Sequence, residues 1–573
     1  MNKEDSSYVN KYKVEIIIGI VVILILSNVS VLSTTITQTD LRTSTSDSDL
    51  VIDYDDSWIR MGNGTVDNHS LSASVFNQWD NAYSHRGDYN NTVAADITND
   101  MMLGWNASNA TLIRNSNGNY WAIDGTADDV QIQVAIDDCT DSNGGTVWIP
   151  SGDIDFNAKV DLASNVNIIG AGFGVTKINL SGSMDGDRTG FLGNGINNFS
   201  IQSLSMDGLA QNVKYLIAVS NVQDCTFRDL RLNGTSDAGF YSDSVPKRMT
   251  LDNIHVTGVI DVGGHTPYQC FTFSRNKDCT YNNLYAYDII DADVAIDWAN
   301  CNSISINNIY IDLEGGAVAN KGIKCGGSDT YPASDYNMNN INIKNTPGTS
   351  TESVSAMYFE NNINNVNVNN LNIVDGGGLR VQDNHVYTNR LRNINFNNVY
   401  VNNSIDDSDA YGVMVFGAEN VSFNNLVTDD CFGRALWFED AKNITVTNGR
   451  FSEGGLSSKL ETSRDVSFSQ CVWKDNRNTR CFEIIDSTNW SITDCKFLNN
   501  AGDAIRTNVG TTGCQYWSIT NCVFKNNGDE GIDMGSLVDE FIITGNLFVD
   551  DTVDSFPSGA GNYIFSMNMN CTG

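Results

Sequence analysis

The sequence predicts an all-β fold, a parallel β-helix of about 14 to 16 coils, from one repeated pattern. The pattern x-[ND]-Φ-x-Φ-x-N-Φ-x-Φ, in which Φ is apolar, occurs fourteen times between residues 197 and 548. Ser305 to Ile311 and Asn395 to Val401 are clear examples. Successive rows begin 22 to 32 residues apart, which is the period of a solenoid rather than of a globular domain.

Each row alternates apolar and polar residues, breaks at the seventh position and then alternates again. Alternation with a period of two is typical of a strand that is buried on one face. The rows therefore predict two short strands per coil, joined by a sharp bend and bonded to the coils above and below. Helical spacing is absent from this part of the sequence, which excludes ankyrin and tetratricopeptide arrays.

The seventh position is asparagine in nine rows, from Asn253 to Asn521, and aspartate in two, Asp229 and Asp494. Asparagine and aspartate tolerate left-handed backbone geometry better than other residues with a side chain. Stacked amides can also bond to one another from coil to coil. We therefore expect this column to be structural and to bend every coil at the same place.

The thirteen cysteines are an odd number, so at least one is free or pairs with another chain. Cys471, Cys495 and Cys522 occupy the eighth position of successive rows and should point into the core in one stack. Parallel side chains favour packed thiols over disulfides. No spacing of cysteine or histidine in the sequence suggests a structural zinc site.

Upstream of the rows, ADDVQIQVAIDD (Ala127 to Asp138) predicts a helix that Asp128 caps and whose apolar face is Val130, Val134 and Ile136. The following GGTVWIPSG (Gly144 to Gly152) predicts the first strand. This stretch and the asparagine column resemble the pectate-lyase-like superfamily of right-handed, single-stranded parallel β-helices. The resemblance implies a helix that closes the N-terminal end and a β-helix over residues 116–555. It does not settle function, because the superfamily holds lyases, hydrolases, epimerases, tailspikes and non-catalytic surface proteins.

The polygalacturonase branch of that superfamily can be tested residue by residue. The segment DVAIDW resembles the branch's acidic segment, with Asp293 at the place of its acid. The paired aspartates that the branch needs next are missing after Asp293, and the glycine-rich GGHTP around His265 comes before it. GIKC supplies Lys324 without the expected arginine. We therefore do not expect polygalacturonase activity.

Near the N-terminus, Val14 to Ser33 is apolar and long enough to cross a bilayer, and Lys3, Lys11 and Lys13 precede it. It is predicted to be a transmembrane anchor or a cleaved signal peptide, and either one exports the rest of the chain. The predicted organisation is residues 1–35 as cytoplasmic tip and anchor or signal, 36–115 as an extracellular tether, 116–555 as the β-helix and 556–573 as a C-terminal cap. Sequons such as Asn63 and Asn233 are compatible with an extracellular glycoprotein at the cell surface.

The formal net charge of -35 makes a nucleic-acid partner unfavourable, because a phosphate backbone would be repelled. Anionic sugars would be repelled as well unless a local basic strip intervenes. The many aspartates are compatible with Ca²⁺ binding, although the sequence shows no EF-hand or nonapeptide calcium repeat. No other cofactor is indicated.

A second strand in each coil reads small-Φ-X-Φ, and its X residue should face solvent along one side of the β-helix. Aromatic rings and both signs of charge on one face are suited to an extended sugar chain. Glu360 and Glu439 stand two residues beyond two of these positions, about three coils apart, which is too far for a hydrolase pair. The X residues in chain order are Tyr241, Asp297, Lys324, Tyr358, Arg380, Met414, Trp437, Glu483, Arg506 and Asp533.

These residues support three hypotheses of function. In the first, the face binds polysaccharide or a glycosylated surface through Tyr241, Asp297, Glu360, Trp437, Glu439, Glu483 and Arg506. In the second, Lys324, Tyr358 and Arg380 catalyse β-elimination on a uronate polysaccharide, because a lyase needs a cation for the carboxylate and a base for the proton. In the third, the chain is a tailspike-like adhesin, whose residues 36–115 either form a homotrimer or tether the body, and whose WDNAYSH (Trp79 to His85) resembles phage tail-fibre sequences. A purely structural alternative is a surface salt-bridge stack of Glu483, Arg506 and Asp533.

Overall fold

A computed structural model describes most of the chain beyond residue 111 and a small part before it. The described residues are 41–43, 50–54, 57–61, 112–123, 127–180, 188–208, 213–259, 269–289, 293–313, 321–346, 355–383, 391–402, 411–508, 513–535, 537–553 and 563–571. The chain divides into two compact units, Met1–Asn106 and Ala107–Gly573. In the first unit, three antiparallel strands form one sheet: β1 (Leu41–Thr43), β2 (Leu50–Tyr54) and β3 (Ser57–Met61).

The predicted membrane or signal segment, Val14 to Ser33, and the WDNAYSH sequence lie outside the described residues. Within the described residues, the structure contains no helix with the length and apolar character needed to span a bilayer. The anchor therefore stays a prediction.

Near its start, the second unit contains a helix that packs against the first strands of the β-helix. This helix, α1 (Asp129–Asp141), contacts the strands β4 (Leu112–Asn115), β5 (Tyr120–Ala122), β6 (Gly145–Trp148) and β9 (Val166–Ile169). The prediction of its cap was wrong. The Asp128 carboxylate does not cap α1; it accepts a hydrogen bond from the backbone N–H of Asp155, in β7 (Gly152–Phe156), at 2.9 Å.

The buried face of α1 also differs from the predicted one. Ile132, Ala135 and Ile136 are buried, whereas Val130 is 49% exposed. The helix is therefore rotated so that Ile132, Ala135 and Ile136, rather than Val130, cover the end of the core. Ile136 is the residue of the predicted face that the structure buries fully.

One long sheet bends at the asparagine column, and we call it the bent sheet. Its coils are parallel throughout. After the short strands β6, β7, β9 and β10 (Thr176–Leu180), each coil contributes one long strand: β12 (Asn197–Asp207), β14 (Gln223–Asn233), β16 (Lys247–Thr257), β18 (Lys277–Ala286), β20 (Asn302–Asp312), β22 (Ala333–Lys344), β24 (Ile363–Val374), β26 (Arg392–Asn402) and β28 (Glu419–Asp429).

Towards the C-terminus the same strand is divided into two at the bend. Strand β28 accordingly pairs with both β30 and β31. The divided strands are β30 (Lys442–Thr447), β31 (Arg450–Ser452), β33 (Arg464–Ser469), β34 (Val472–Lys474), β36 (Thr488–Thr493), β37 (Lys496–Leu498), β39 (Cys514–Thr520), β40 (Val523–Lys525), β42 (Val538–Thr544), β43 (Leu547–Val549), β44 (Tyr563–Ser566) and β45 (Met569–Cys571).

A second parallel sheet closes each coil and carries the predicted X residues. It has fifteen strands in the described part of the chain. They are β8 (Val160–Asp161), β11 (Thr189–Asn194), β13 (Tyr215–Ser220), β15 (Ala238–Asp243), β17 (Gln269–Ser274), β19 (Val294–Ala299), β21 (Lys321–Gly326), β23 (Ser355–Glu360), β25 (Leu379–Gln382), β27 (Tyr411–Phe416), β29 (Arg434–Glu439), β32 (Ser458–Glu461), β35 (Arg480–Ile485), β38 (Asp503–Asn508) and β41 (Ile532–Met534). The predicted parallel β-solenoid is therefore confirmed.

The predicted bend is confirmed at every row. All fourteen residues at the seventh position have a positive φ, between 52° and 72°. In the rows from Asn308 to Asn425 the side chains also form the predicted ladder, in which each amide donates to the coil before it, as from Asn340 to Asn308 at 2.9 Å, Asn370 to Asn340 at 3.0 Å and Asn398 to Asn370 at 3.0 Å. The asparagines thus combine a left-handed corner with a coil-to-coil hydrogen bond.

Sequence reasoning missed a second left-handed corner in the same rows. Every residue at the second position of the pattern also has a positive φ, between 50° and 60°. This position holds less tolerant residues as well, such as Arg248 and Tyr516. Neighbouring coils impose the corner there even where the local preference is weak.

The core is a continuous stack of apolar side chains between the two sheets. Aromatic rings lie over one another from coil to coil, as in Trp473 on Phe497, with centroids 4.8 Å apart. The predicted packing of thiols is confirmed: Cys471, Cys495 and Cys522 are buried and unbridged, and the Cys495 sulfur accepts a hydrogen bond from the backbone N–H of Cys471 at 3.3 Å.

Candidate functional site

The predicted X residues form one register line along the second sheet, which we call the column. Parallel pairing places each of them directly beside the next, for example Asp297 beside Lys324, Lys324 beside Tyr358 and Tyr358 beside Arg380. The line also includes Thr272 and Lys459, which the sequence pattern did not identify. Lys459 was missed because Ser458 occupies an apolar position of the pattern.

The expectation that the column faces solvent was wrong for its central part. Tyr358, Met414 and Glu483 are only 6%, 7% and 7% exposed, and most of the other members are half-buried. The physical reason is that side chains on adjacent coils lie about 4.8 Å apart and pack over one another. The column is therefore a packed polar surface rather than a row of separate solvated side chains.

A local break in each strand of the second sheet adds a further side chain to the column. The pairing ladder skips the small residue near the start of the strand, such as Gly322 in β21 and Gly412 in β27. A side chain at Gly322 would collide with the backbone of Ala356, since a Cβ there would lie 2.6 Å from its carbonyl oxygen. The break brings the preceding residue to the column side, which a flat strand would not do. Lys321, Tyr411 and Arg434 reach the column in this way.

The central cluster brings the three predicted catalytic residues together. The Lys324 Nζ lies 2.7 Å from the Glu360 Oε1. The Arg380 guanidinium lies 5.2 Å from the Tyr358 ring centroid, and the Lys321 Nζ lies 5.8 Å from the same centroid. Three cationic side chains and one phenol ring are thus concentrated on the consecutive strands β21, β23 and β25.

Asp297 lies beside this cluster as a carboxyl group with incomplete hydrogen bonding. Its Oδ2 accepts a hydrogen bond from Gln269 Nε2 at 3.2 Å, while its Oδ1 is buried and has no hydrogen-bond partner among the described residues. Burial raises the pKa of Asp297 to about 6, although the charge of Lys324 acts in the opposite direction. This carboxyl group is therefore largely neutral in mildly acidic solution.

The two lysines of the cluster differ in their electrostatics. Burial lowers the pKa of Lys321, and the neighbouring Lys324 and Arg380 lower it further, while Asp293 opposes the shift. Burial would also lower the pKa of Lys324, but Asp297 and Glu360 outweigh it and raise the pKa. Lys324 is therefore a fixed cation, and Lys321 is the lysine that loses its proton more easily.

We expect Asp297→Asn to stabilise the protein in alkaline solution. The folded-state pKa is raised from 3.8 to about 6, so the penalty for ionising Asp297 appears as the pH rises through this interval and persists above it. Because asparagine cannot ionise, the free energy of unfolding at pH 8 should rise by about 1 to 3 kcal/mol. Urea unfolding at pH 4 and pH 8 measures the difference.

Asp243 is the matched control for this prediction. Burial would raise the pKa of Asp243, but hydrogen bonds from Arg275, whose Nη2 lies 2.8 Å from the Asp243 Oδ1, lower it. Asp243→Asn should therefore destabilise the protein as the pH rises, which is the opposite sign. Equal effects of the two substitutions at pH 8 would contradict the assignment.

The remaining predicted binding residues lie along the column but outside the central cluster. Tyr241 stacks on Tyr215, with centroids 4.5 Å apart, two coils before Asp297. Trp437 and Glu439 lie three coils beyond Tyr358 and Glu360. The register thus agrees with the prediction that Glu360 and Glu439 are too far apart to act as a hydrolase pair, since three coils span about 14 Å.

The salt-bridge stack predicted at the C-terminal end is formed only in part. The Arg506 Nε lies 3.0 Å from the Asp533 Oδ2, as the stack requires. The Glu483 Oε1, however, lies 2.7 Å from the Arg480 Nη1 of its own strand. The pairing ladder also skips Cys481 in β35, which brings the Arg480 side chain to the column side, where it pairs with Glu483.

Within the described residues, one group of acidic side chains has the geometry to hold a metal ion. Ligand atoms of Asp503, Asp529 and Glu530 lie within 4.8 Å of one another. Burial, together with hydrogen bonds that the protonated Glu530 carboxyl group donates to Asp503 and Asp529, raises the pKa of Glu530 to about 7. Ca²⁺ binding is compatible with the sequence, and this group, at the C-terminal end of the column, is the site at which to test for it.

The comparison with known families identifies the handedness of the solenoid. Residues 392–548 match the family model described as "Right handed beta helix region". The chain contains a right-handed β-helix. The resemblance drawn from the GGTVWIPSG strand and the asparagine column is thereby confirmed at the level of the fold.

Curated relatives match a part of this right-handed β-helix chain. Mannuronan C5-epimerase AlgE2 of Azotobacter vinelandii is 27% identical over 197 residues, which are 32% of this chain and 18% of that protein. Alginate lyase 7 of the same organism is 36% identical over 103 residues, or 16% of this chain and 12% of that protein. The chain therefore spans less than a fifth of the length of these relatives.

Among solved structures, the tailspike protein of Escherichia coli bacteriophage HK620, determined as a mutant in complex with a pentasaccharide, is 10% identical. The similarity covers 75% of this chain and 77% of the tailspike chain, with a TM-score of 0.44.

Proposed function

We propose that the β-helix binds an anionic polysaccharide along the column, with the central cluster of Lys321, Lys324, Tyr358 and Arg380 as its main contact. The observation that carries the proposal is the concentration of three cations on neighbouring coils, two of them beside the Tyr358 ring, in a chain whose net charge is -35. Elsewhere such a chain repels polyanions, so a specific anion site has to be basic locally.

The geometry of the cluster fits a sugar that carries a carboxylate. The carboxylate of the sugar would replace Glu360 as the partner of Lys324, while the buried Tyr358 ring supports the cations around it from below. Arg380 can offer a second charged contact one coil beyond Tyr358. A neutral Asp297 at pH values below about 6 would reduce repulsion of the ligand.

The names of the curated relatives support the same class of ligand. They describe enzymes that act on mannuronan and on alginate, which are polymers of uronic acids. We propose in addition that the chain is exported and works at the cell surface, with Val14 to Ser33 as its anchor or signal.

A second candidate function is β-elimination on the bound polymer, favoured by the position and lowered pKa of Lys321. Lys324 and Arg380 would hold the uronate carboxylate, and Tyr358 or Lys321 would remove the C5 proton. The electron pair of the C5–H bond would form a C4=C5 double bond, the C4–O bond would break, and the leaving oxygen would take up a proton. Without this step, the protein would act as a binding module or as the tailspike-like adhesin.

The test incubates the full-length chain with polymannuronate, polygalacturonate and a neutral glucan. Calorimetry should detect binding to an anionic polymer that weakens with salt and is absent for the glucan. Ultraviolet absorbance of a new C4=C5 double bond would identify a lyase, whereas binding without it would identify an adhesin or binding module. Absence of binding to both anionic polymers, or equal binding to the glucan, would refute the proposal.

A further inference from the structure

A second aromatic ring of the column is flanked by two cations, as Tyr358 is. The Arg434 guanidinium lies 5.6 Å from the Trp437 ring centroid, and the Lys459 Nζ lies 5.9 Å from it. At the first ring, the Arg380 guanidinium lies 5.2 Å and the Lys321 Nζ lies 5.8 Å from the Tyr358 ring centroid. Sequence analysis assigned Trp437 to the binding face but neither of its two cations.

The two rings share further residue types, although in a different register: Lys321 lies one coil before Tyr358, whereas Arg434 lies on the same strand as Trp437. Each has a carboxylate paired with a lysine: the Lys324 Nζ lies 2.7 Å from the Glu360 Oε1, and the Lys459 Nζ lies 2.5 Å from the Glu461 Oε2. Each first cation comes from the strand break, Lys321 in β21 and Arg434 in β29. The aromatic ring in each case is an X residue of the column.

The register fixes the separation of the two rings. Tyr358 pairs with Arg380, Arg380 with Met414 and Met414 with Trp437, so that the rings are three coils apart on one straight line. Three coils span about 14 Å, roughly the length of three linked sugar rings in an extended chain. Arg380 and Met414 fill the interval, so the surface between the two rings is continuous.

We infer that Trp437, Arg434 and Lys459 form a second acidic-sugar site that holds the same polysaccharide chain about three sugars along from the central cluster. The inference rests on the proposed function, which supplies the ligand class, and adds to it a length requirement. A chain that reaches both sites gains the second contact as an intramolecular event, so its affinity should exceed that of a short chain by a large factor.

The two flanking cations distinguish this inference from a purely structural role for Trp437. Arg434 Nη1 donates a hydrogen bond to the carbonyl of Ser457 at 2.7 Å, which orients its guanidinium beside the ring. Lys459 is held by its ion pair with Glu461. The Arg434 guanidinium and the Lys459 ammonium are therefore both positioned before a ligand binds. Preorganised cations next to a half-buried ring are suited to an anionic ring-shaped ligand.

The experiment measures the affinity of the full-length chain for oligouronates of two to eight sugars, by calorimetry. For the unchanged protein, the affinity should rise at least tenfold between about three and five sugars. Trp437→Ala, and independently Lys459→Met, should remove this rise and lower the affinity for the octamer about tenfold or more, while affinities for the dimer and trimer change less than twofold. Trp437→Phe, which keeps a ring, should retain most of the rise.

Arg450→Ala is the matched control, because Arg450 is an exposed cation on β31 of the bent sheet. It should leave the affinity at every length unchanged. If Trp437→Ala lowers the affinity for all lengths equally, or for none, the second site is refuted while the proposed function stands. If no oligouronate of any length binds, the proposed function fails and the inference fails with it.

Discussion

Replacing Trp473 with alanine should lower the free energy of unfolding by about 3 to 5 kcal/mol, the range typical of large-to-alanine changes of buried aromatic residues. Trp473 is 1% exposed, stacks on Phe497 and packs against the tilted ring of Phe451, with both centroid distances at 4.8 Å. Its removal leaves a cavity between three coils that the backbone hydrogen bonds of the solenoid prevent from collapsing. Urea unfolding monitored by circular dichroism measures the loss.

Trp473→Phe is the control that separates ring packing from the indole N–H. The Trp473 Nε1 is buried and has no hydrogen-bond partner among the described residues. Phenylalanine removes that unsatisfied donor and retains most of the stacking, so its cost should stay below about 1.5 kcal/mol. If phenylalanine costs as much as alanine, the stabilisation does not come from stacking.

Arg380→Ala should weaken binding of an anionic polysaccharide by a factor of about 30 to 1000, because truncation of a close charge pair in a binding site costs roughly 2 to 4 kcal/mol. The Arg380 guanidinium lies 5.2 Å from the Tyr358 ring centroid, and Arg380 pairs with Met414 on the line of the column towards Trp437. Calorimetry with polymannuronate at two salt concentrations measures the loss, and the salt dependence should become shallower.

The affinity of Arg380→Lys should fall between those of the unchanged protein and Arg380→Ala. Lysine keeps the charge but loses the planar guanidinium that lies over the ring. Loss of binding caused by unfolding would show as a lower urea midpoint, which separates it from loss of a contact. Unchanged affinity of a folded Arg380→Ala protein would contradict the placement of the ligand on the column.

The sequence was sufficient to predict the coil because the information is local and repeated. Alternation of apolar residues defined the strands, and asparagine at the seventh position predicted a left-handed corner that the structure confirms at all fourteen rows. The alignment of Lys324, Tyr358 and Arg380 also followed from spacing alone, because parallel coils convert an equal position in each row into a neighbour in space.

What the sequence could not predict depends on contacts between coils. Lys321 stands three residues before Lys324, and on a regular strand the two would face opposite sides. Only the skipped pairing at Gly322 brings both to the column. Asp128 likewise has the composition of a helix cap, but the backbone N–H of Asp155 competes for its carboxylate. Tyr358 is buried by side chains of the neighbouring coils, and the residues of its own strand do not indicate this burial.

The asparagine ladder gives the solenoid an electrical direction. Each side-chain amide donates towards the N-terminus, so the amide dipoles add along the axis instead of cancelling, and neighbouring bonds polarise one another. The series ends on aspartates, with Asn253 donating to Asp229 at 2.7 Å and Asn283 donating to Asp252 at 2.8 Å. A carboxylate can only accept, so it suits the end at which no further donor is needed. The stack therefore has a defined start, and further coils could join it in one orientation alone.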